Sequence, residues 1–131
     1  MNPVVHFEFP GKDMERMKSF YQAAFGWQLN QLGADMGGYV VATTTEADEK
    51  GHPKTPGQIN GGFYKATEDP MSQHPSVVIA VENLEKAIES VKTAGGTIHG
   101  EPYEIPGVGR YVSMIDTEGN RVSLLQPNPR I

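Results

Sequence analysis

His6 and Glu8 form the sharpest polar pair in the chain. They lie two residues apart in Val4-Val5-His6-Phe7-Glu8-Phe9, whose alternation reads as a strand. Successive side chains on a strand point to opposite faces, so His6 and Glu8 share one face while Val5, Phe7 and Phe9 take the other. An imidazole beside a carboxylate favours its ionised form, and the two could work as a general acid and base or supply half of a metal site. Two plainer readings stand beside these: a buried hydrogen-bonded pair that sets the shape of a cavity, or a solvated pair at its mouth. The other histidines carry less. His74 shares strand parity with Ser76 and could supply a displaced second ligand, but Gln73 and Pro75 point to a surface turn. His52, in a polar loop, and His99, in Ile98-His99-Gly100, are both expected at the surface. The chain has no Cys, which removes disulfides, thiolate nucleophiles and Cys-bound zinc. Ser123 lacks both an adjacent base and the glycines of a nucleophile elbow, so acyl transfer is not expected of it. Neither Gly61-Gly62 nor Gly107-Val108-Gly109 precedes a helix, and the first lacks a following Lys-Ser/Thr, so neither is a phosphate loop.

The elements that must position these residues follow from patterning. After the strand ending at Phe9, Pro10-Gly11-Lys12 forms a break and Asp13 can cap a helix. Met14, Met17, Tyr21 and Ala24 make that helix's apolar stripe, with Phe20 and Phe25 beside it as further core, and Gly26 stops it. Trp27–Leu32 and Tyr39–Thr45 read as strands. The polar loop from Glu46 to Gln58 is long for a hairpin connection, and is either a lid or a tolerated surface insertion. Ile59–Lys65 is a weak strand whose Gly61-Gly62 marks a bulge or a close approach by another segment. The pattern then restarts. Ser76–Val81 reads as a strand, Asn83 as a cap, and Leu84, Ala87, Ile88, Val91 and Ala94 as a helix face ended by Gly95-Gly96. Three more strands follow: Thr97–Ile105 with a Pro break, Arg110–Ile115 and Arg121–Gln126, the last two joined by the turn Asp116-Thr117-Glu118-Gly119.

The restart is a repeat. An offset of 70 carries Phe7 to Val77, Phe9 to Ile79, Asp13 to Asn83, Met14 to Leu84, Tyr21 to Val91 and Gly26 to Gly96. Tyr39-Val40-Val41 likewise resembles Tyr111-Val112-Ser113, and Asp48-Glu49-Lys50-Gly51 resembles Asp116-Thr117-Glu118-Gly119. Two such units are too few for a solenoid. The expectation is an α+β fold: two tandem βαβββ modules forming a curved mixed sheet around a cavity, with the helices outside. It is one domain over 1–131, with module one at 1–66 and module two at 74–127. Bulk properties agree, since 131 residues with 37% hydrophobic and 21% charged side chains suit one globular domain. A net charge of −5 and scattered Lys and Arg argue against nucleic acid as a partner. No run approaches a membrane span and no basic, apolar leader opens the chain, so the expected location is cytoplasmic.

These features resemble the vicinal oxygen chelate superfamily, which includes glyoxalase I, bleomycin-resistance proteins and extradiol dioxygenases. The resemblance runs through Val5-His6-Phe7-Glu8-Phe9-Pro10, Phe20-Tyr21-Gln22-Ala23-Ala24-Phe25-Gly26-Trp27, Ile59-Asn60-Gly61-Gly62, Val81-Glu82-Asn83-Leu84 and Asp116-Thr117-Glu118-Gly119-Asn120. The helix ending and the turn before the last strand are similar to the glyoxalase-related branch. Metal-using members place four ligands on the first and last strands of the two units. Carried over, those positions are His6, Ser76, Ser123 and either Gly61 or Gly62. Serine hydroxyls and a glycine are poor ligands for zinc, iron or nickel. No cofactor is therefore expected, and if a divalent transition metal binds, His6 is the residue to hold it.

The resemblance also implies that Val78, Tyr111, Ser113, Ser123 and Leu125 face a ligand cavity, although plain core packing would use the same residue types. Hydroxyls mixed with apolar groups suit a small organic molecule. The expected function is thus binding of such a molecule, as in the bleomycin-resistance branch, and the expected assembly is a homodimer. The alternatives are a metal-assisted lyase, isomerase or dioxygenase using His6 and Glu8 as catalytic residues, or a dimerising module with no small-molecule role.

Overall fold

A computed structural model describes residues 1–129. Its elements are β1 (Val4–Gly11), α1 (Met14–Phe25), β2 (Gln28–Gln31), β3 (Val40–Thr43), β4 (Asn60–Lys65), β5 (Ser76–Ala80), α2 (Leu84–Thr93), β6 (Thr97–Ile105), β7 (Gly109–Ile115) and β8 (Arg121–Pro127). The fold is α+β, with the strand–helix–three-strand unit occurring twice. The chain divides into two compact units, His6–Pro75 and Met1–Val5 with the chain from Ser76 onward.

In the first unit the strand order is β2-β3-β4-β1, with β1 parallel to β4 and the other pairs antiparallel. In the second it is β6-β7-β8-β5, with β5 parallel to β8. The two orders are the same once the strands are matched through the repeat. Both helix starts are made by the expected caps: Asp13 Oδ1 accepts from Arg16 N and Asn83 Oδ1 from Lys86 N, each at 3.0 Å. Gly26 closes α1 in the left-handed conformation, at φ 72°, a region other residues enter only under strain.

The cores differ in chemistry. In the first unit Val40, Ala42 and Phe63 are fully buried, packed by Phe7, Phe9, Met14, Met17, Tyr21, Trp27 and Leu29. Rings dominate: Phe9 stacks on Phe63 with centroids 6.2 Å apart, and Tyr21 on Trp27 at 4.7 Å. In the second unit Val81, Leu84, Val112 and Leu124 are joined by Ile79, Ala87, Ile88, Val91, Ile98 and Met114, all without a ring.

Three sequence expectations need correction. Phe20 and Phe25 are 58% and 63% exposed, so they are not core. Only the narrow Met14, Met17, Tyr21 stripe of α1 packs on its sheet, and Ala24 is exposed as well. β1 runs on through Pro10 and Gly11, paired with Tyr64 and Lys65, where a break was expected. A strand tolerates Pro at its end because the missing N–H leaves little of the ladder unmade. His99 is half-buried within β6 and not at the surface, because it is still paired with Ser113 and the register shift begins only after it, at Gly100-Glu101-Pro102.

The turn resemblance holds atom by atom. Asp48 Oδ1 accepts from Lys50 N and His52 N, both at 2.9 Å, and Asp116 Oδ1 accepts from Glu118 N and Asn120 N at 2.8 and 2.9 Å. The first turn lies within the 46–58 loop, which is further tied by Lys54 N donating to Glu46 O at 2.9 Å.

Candidate functional site

Within each unit the four strands, taken below as that unit's sheet, have one face covered by the unit's own helix and one face turned away from it. On the second sheet the face opposite α2 is set by alternation and register. Val78 pairs with Ser123, Ser123 with Ser113, and Ser113 with His99, so these four side chains form one row across four strands. One step along lies the row of Leu125, Tyr111 and Tyr103. One step the other way, Arg121 lies opposite Ile115, which is opposite Thr97.

Polar contacts stitch these rows together. Tyr111 and Ser123 share a hydrogen bond of 2.5 Å between hydroxyls, and Ser113 Oγ lies 3.4 Å from Ser123 Oγ. Arg121 donates from Nη1 to Ser113 Oγ at 3.3 Å and from Nη2 to Ser76 Oγ at 3.2 Å. Ser123 is fully buried, and Ser76 and Tyr111 nearly so. Beside this polar half, Val78, Tyr111 and Leu125 form an apolar cluster with Ile105 and Val108. All five residues expected to line a ligand site thus come together on one face. Arg121 and His99 join them. Arg121 shares strand parity with Ser123 at two residues' distance, a signal legible in the sequence; His99 required the β6 register.

On the first sheet Glu8 is buried, at 8% exposure, and His6 half-buried. Both lie opposite the aromatic core, as alternation requires. Glu8 pairs with Gly62 and His6 with Asn60. The Asn60 carboxamide oxygen accepts from Thr44 N at 2.7 Å and Thr45 N at 3.0 Å, which commits it to the loop entry. Gly62 leaves space that Tyr39 fills: its hydroxyl and ring occupy the place of a Cβ. Gly61 is as constrained on the other side, where a Cβ would meet the Phe7 carbonyl and ring. Close approach, not a bulge, explains the glycine pair.

Register also decides which glycine matches Ser123. Glu8 pairs with Gly62 and Val78 with Ser123, and 8 and 78 are related by the repeat offset, so the counterpart is Gly62. Among the described residues no group of three or more His, Asp or Glu side chains is placed to hold a metal ion. His52 and His74 are exposed. The Asp48 carboxyl is held below the usual range by the backbone N–H of His52, and that of Asp116 by the Asn120 carboxamide and backbone N–H groups. The Asp48 turn is remote in sequence from the rows described, and the Asp116 turn joins Ile115 to Arg121 at the end of one of them.

The profile of the Glyoxalase/Bleomycin resistance protein/Dioxygenase superfamily matches residues 4–124, and the chain belongs to that superfamily. It is 29% identical over 115 residues to the "Putative glyoxylase CFP32" of Mycobacterium bovis and of Mycobacterium tuberculosis. That match covers 86% of this chain but only 39% of the relative, so the chain spans about two fifths of the curated proteins it matches. Among solved structures, methylmalonyl-CoA epimerase from Mycobacterium tuberculosis aligns with a TM-score of 0.66 and 15% identity, over 96% of this chain and 88% of its own. A Streptomyces coelicolor methylmalonyl-CoA epimerase variant in complex with 2-nitronate-propionyl-CoA aligns at 0.68 and 13%, over 96% and 97%. Identities this low establish a shared fold and nothing finer. No helix among the described residues is long and apolar enough to cross a membrane.

Proposed function

We propose that the chain binds a small organic molecule on the face of the second sheet opposite α2, with Val78, Tyr111, Ser113, Ser123 and Leu125 as contacts. The observation that carries this reading is the buried hydroxyl row set beside an apolar cluster. Core packing alone favours apolar side chains, because each buried hydroxyl needs a partner. A few convergent polar groups against an apolar wall are what an organic ligand uses. Membership of the superfamily supports the reading. It includes a homodimer, checked by sedimentation at micromolar concentration; a monomer would remove that part.

A second reading rests on a different observation, the burial of Glu8 on the same face as His6. Here the pair acts as catalytic acid and base in a lyase, isomerase or dioxygenase, with His6 the residue to hold a metal. The donor set fits a complete metal centre poorly, since the other three positions at which metal-using relatives would place ligands are Ser76, Gly62 and Ser123.

Native mass spectrometry of protein purified without an affinity tag tests the first reading. A co-purified organic molecule, lost in Ser123→Ala, is the expected result. Stoichiometric transition metal that disappears in His6→Ala would replace it with the second.

A further inference from the structure

We infer that the second module's ligand face takes an organic acid, its carboxylate held by Arg121 and its apolar body by Val78, Tyr111 and Leu125. The inference rests on the small-molecule reading and adds the charge of the ligand.

Three features lead to it. First, the guanidinium is held in place before any ligand arrives, because Ser113 and Ser76 accept from its two terminal nitrogens. Two supports on different strands fix the plane of the group. A fixed plane is what bidentate recognition of a carboxylate needs, and it is why Arg and Lys differ at such sites. Second, the side chains around it are donors or donor-acceptors. Ser76 accepts from Arg121 and keeps its own hydroxyl proton, the two hydrogen bonds linking Tyr111, Ser123 and Ser113 use two of their three protons and leave one to give, and His99 stands opposite Ser113. No carboxylate belongs to these rows. A group of this composition favours an acceptor-rich, negatively charged partner. Third, polar and apolar halves lie on one face in a fixed order, with Arg121 and Ser76 at one end and Leu125 and Tyr111 at the other. The ligand that matches this order has one anionic end and one apolar end.

Arg121 takes part in further interactions in the resting protein. A carboxylate therefore enters by exchange, taking over N–H donors that the protein otherwise satisfies.

Benzoate and benzamide make the test, because they share shape and differ in charge. Each is titrated into isotopically labelled protein at constant ionic strength while backbone amide shifts are followed. Benzoate is expected to move the amides of Ser76, His99, Ser113, Arg121 and Ser123 and to bind at least about tenfold more tightly than benzamide. Arg121→Gln is expected to abolish that preference and Arg121→Lys to restore only part of it, since a point charge cannot reproduce the fork. Should Arg121→Gln fail to fold, the wild-type comparison of the two compounds still decides. Equal shifts by both compounds at these residues overturn the charge inference while leaving the small-molecule reading standing. Shifts confined to other residues, or none with either compound, overturn the inference; the reading itself is then judged by the co-purified ligand.

Discussion

The two modules are one architecture filled in two ways. Strand order, parallel pairing, helix caps and the Asp-centred turn are common to both. The contents of the sheets are not. Module one packs its helix through rings, module two through aliphatic side chains. On the faces opposite the helices, register matches Glu8 to Val78, Gly62 to Ser123 and Asn60 to Arg121. A tyrosine recurs, because Tyr39 and Tyr111 each direct a hydroxyl at the fourth strand of their unit, toward Gly62 in one and Ser123 in the other. What is shared is what backbone hydrogen bonding demands. What differs is confined to side chains that a sheet accommodates on either face at little cost to its ladder.

The cores should show the largest difference. Phe63→Ala removes a fully buried ring and should cost about 3–5 kcal/mol, while Leu84→Ala in module two should cost about 2–5 kcal/mol. Urea unfolding measures both, and a cost below 1 kcal/mol for Phe63→Ala would show that the ring stack is loosely packed. Next comes Gly62→Ser, which makes module one resemble module two. Because Tyr39 already fills that space, the change should destabilise by about 1–3 kcal/mol. Tyr39→Ala should relieve much of it, so the double mutant should be far from additive. Additive effects would mean the two positions do not compete for one volume.

The caps should behave alike. Asp13→Ala and Asn83→Ala should each cost about 1 kcal/mol, since each loses one side-chain acceptor for a backbone N–H in the first turn. A markedly unequal pair would show that one helix start is held by something other than its cap. The smallest effects belong to the turns. Asp48 and Asp116 both have carboxyl pKa values below the ordinary range in the folded chain. Their contribution is therefore present above the unfolded value and lost as pH falls through the folded one. Asp48→Asn and Asp116→Asn should each flatten the acid limb of a stability-versus-pH curve by lowering the neutral plateau slightly toward the acid value. Both groups are exposed, so a steep change at neutral pH would contradict the assignment.

How much of this was legible depends on how local each cause is. Asp13, Asn83, Gly26 and the Asp116 turn act within a few residues of themselves, and the sequence named each correctly. That Val78, Tyr111, Ser113, Ser123 and Leu125 share one face was legible through alternation and resemblance together. Phe20 and Phe25 were misread because a helical stripe does not declare its own width, and how much of it packs depends on the sheet beneath. His99 was misread because Gly100 looked like a turn and instead belongs to an irregular stretch inside a strand. Gly61-Gly62 left two readings open, and only the distant Tyr39 and the neighbouring Phe7 decide between them. Arg121 is reached by the same alternation that gives Ser123, but nothing local marks an Arg after a turn as packed among serines and not solvated.

Tyr39 lying where a Gly62 side chain would be also bears on history. If the modules descend from one ancestral unit, that position can no longer regain a side chain in a single step, since any substitution there meets the phenol first. Tyr39 must shrink before Gly62 can grow. The pair works as a ratchet that fixes the order of mutations, and it holds module one apart from its sibling even where selection on that face is relaxed.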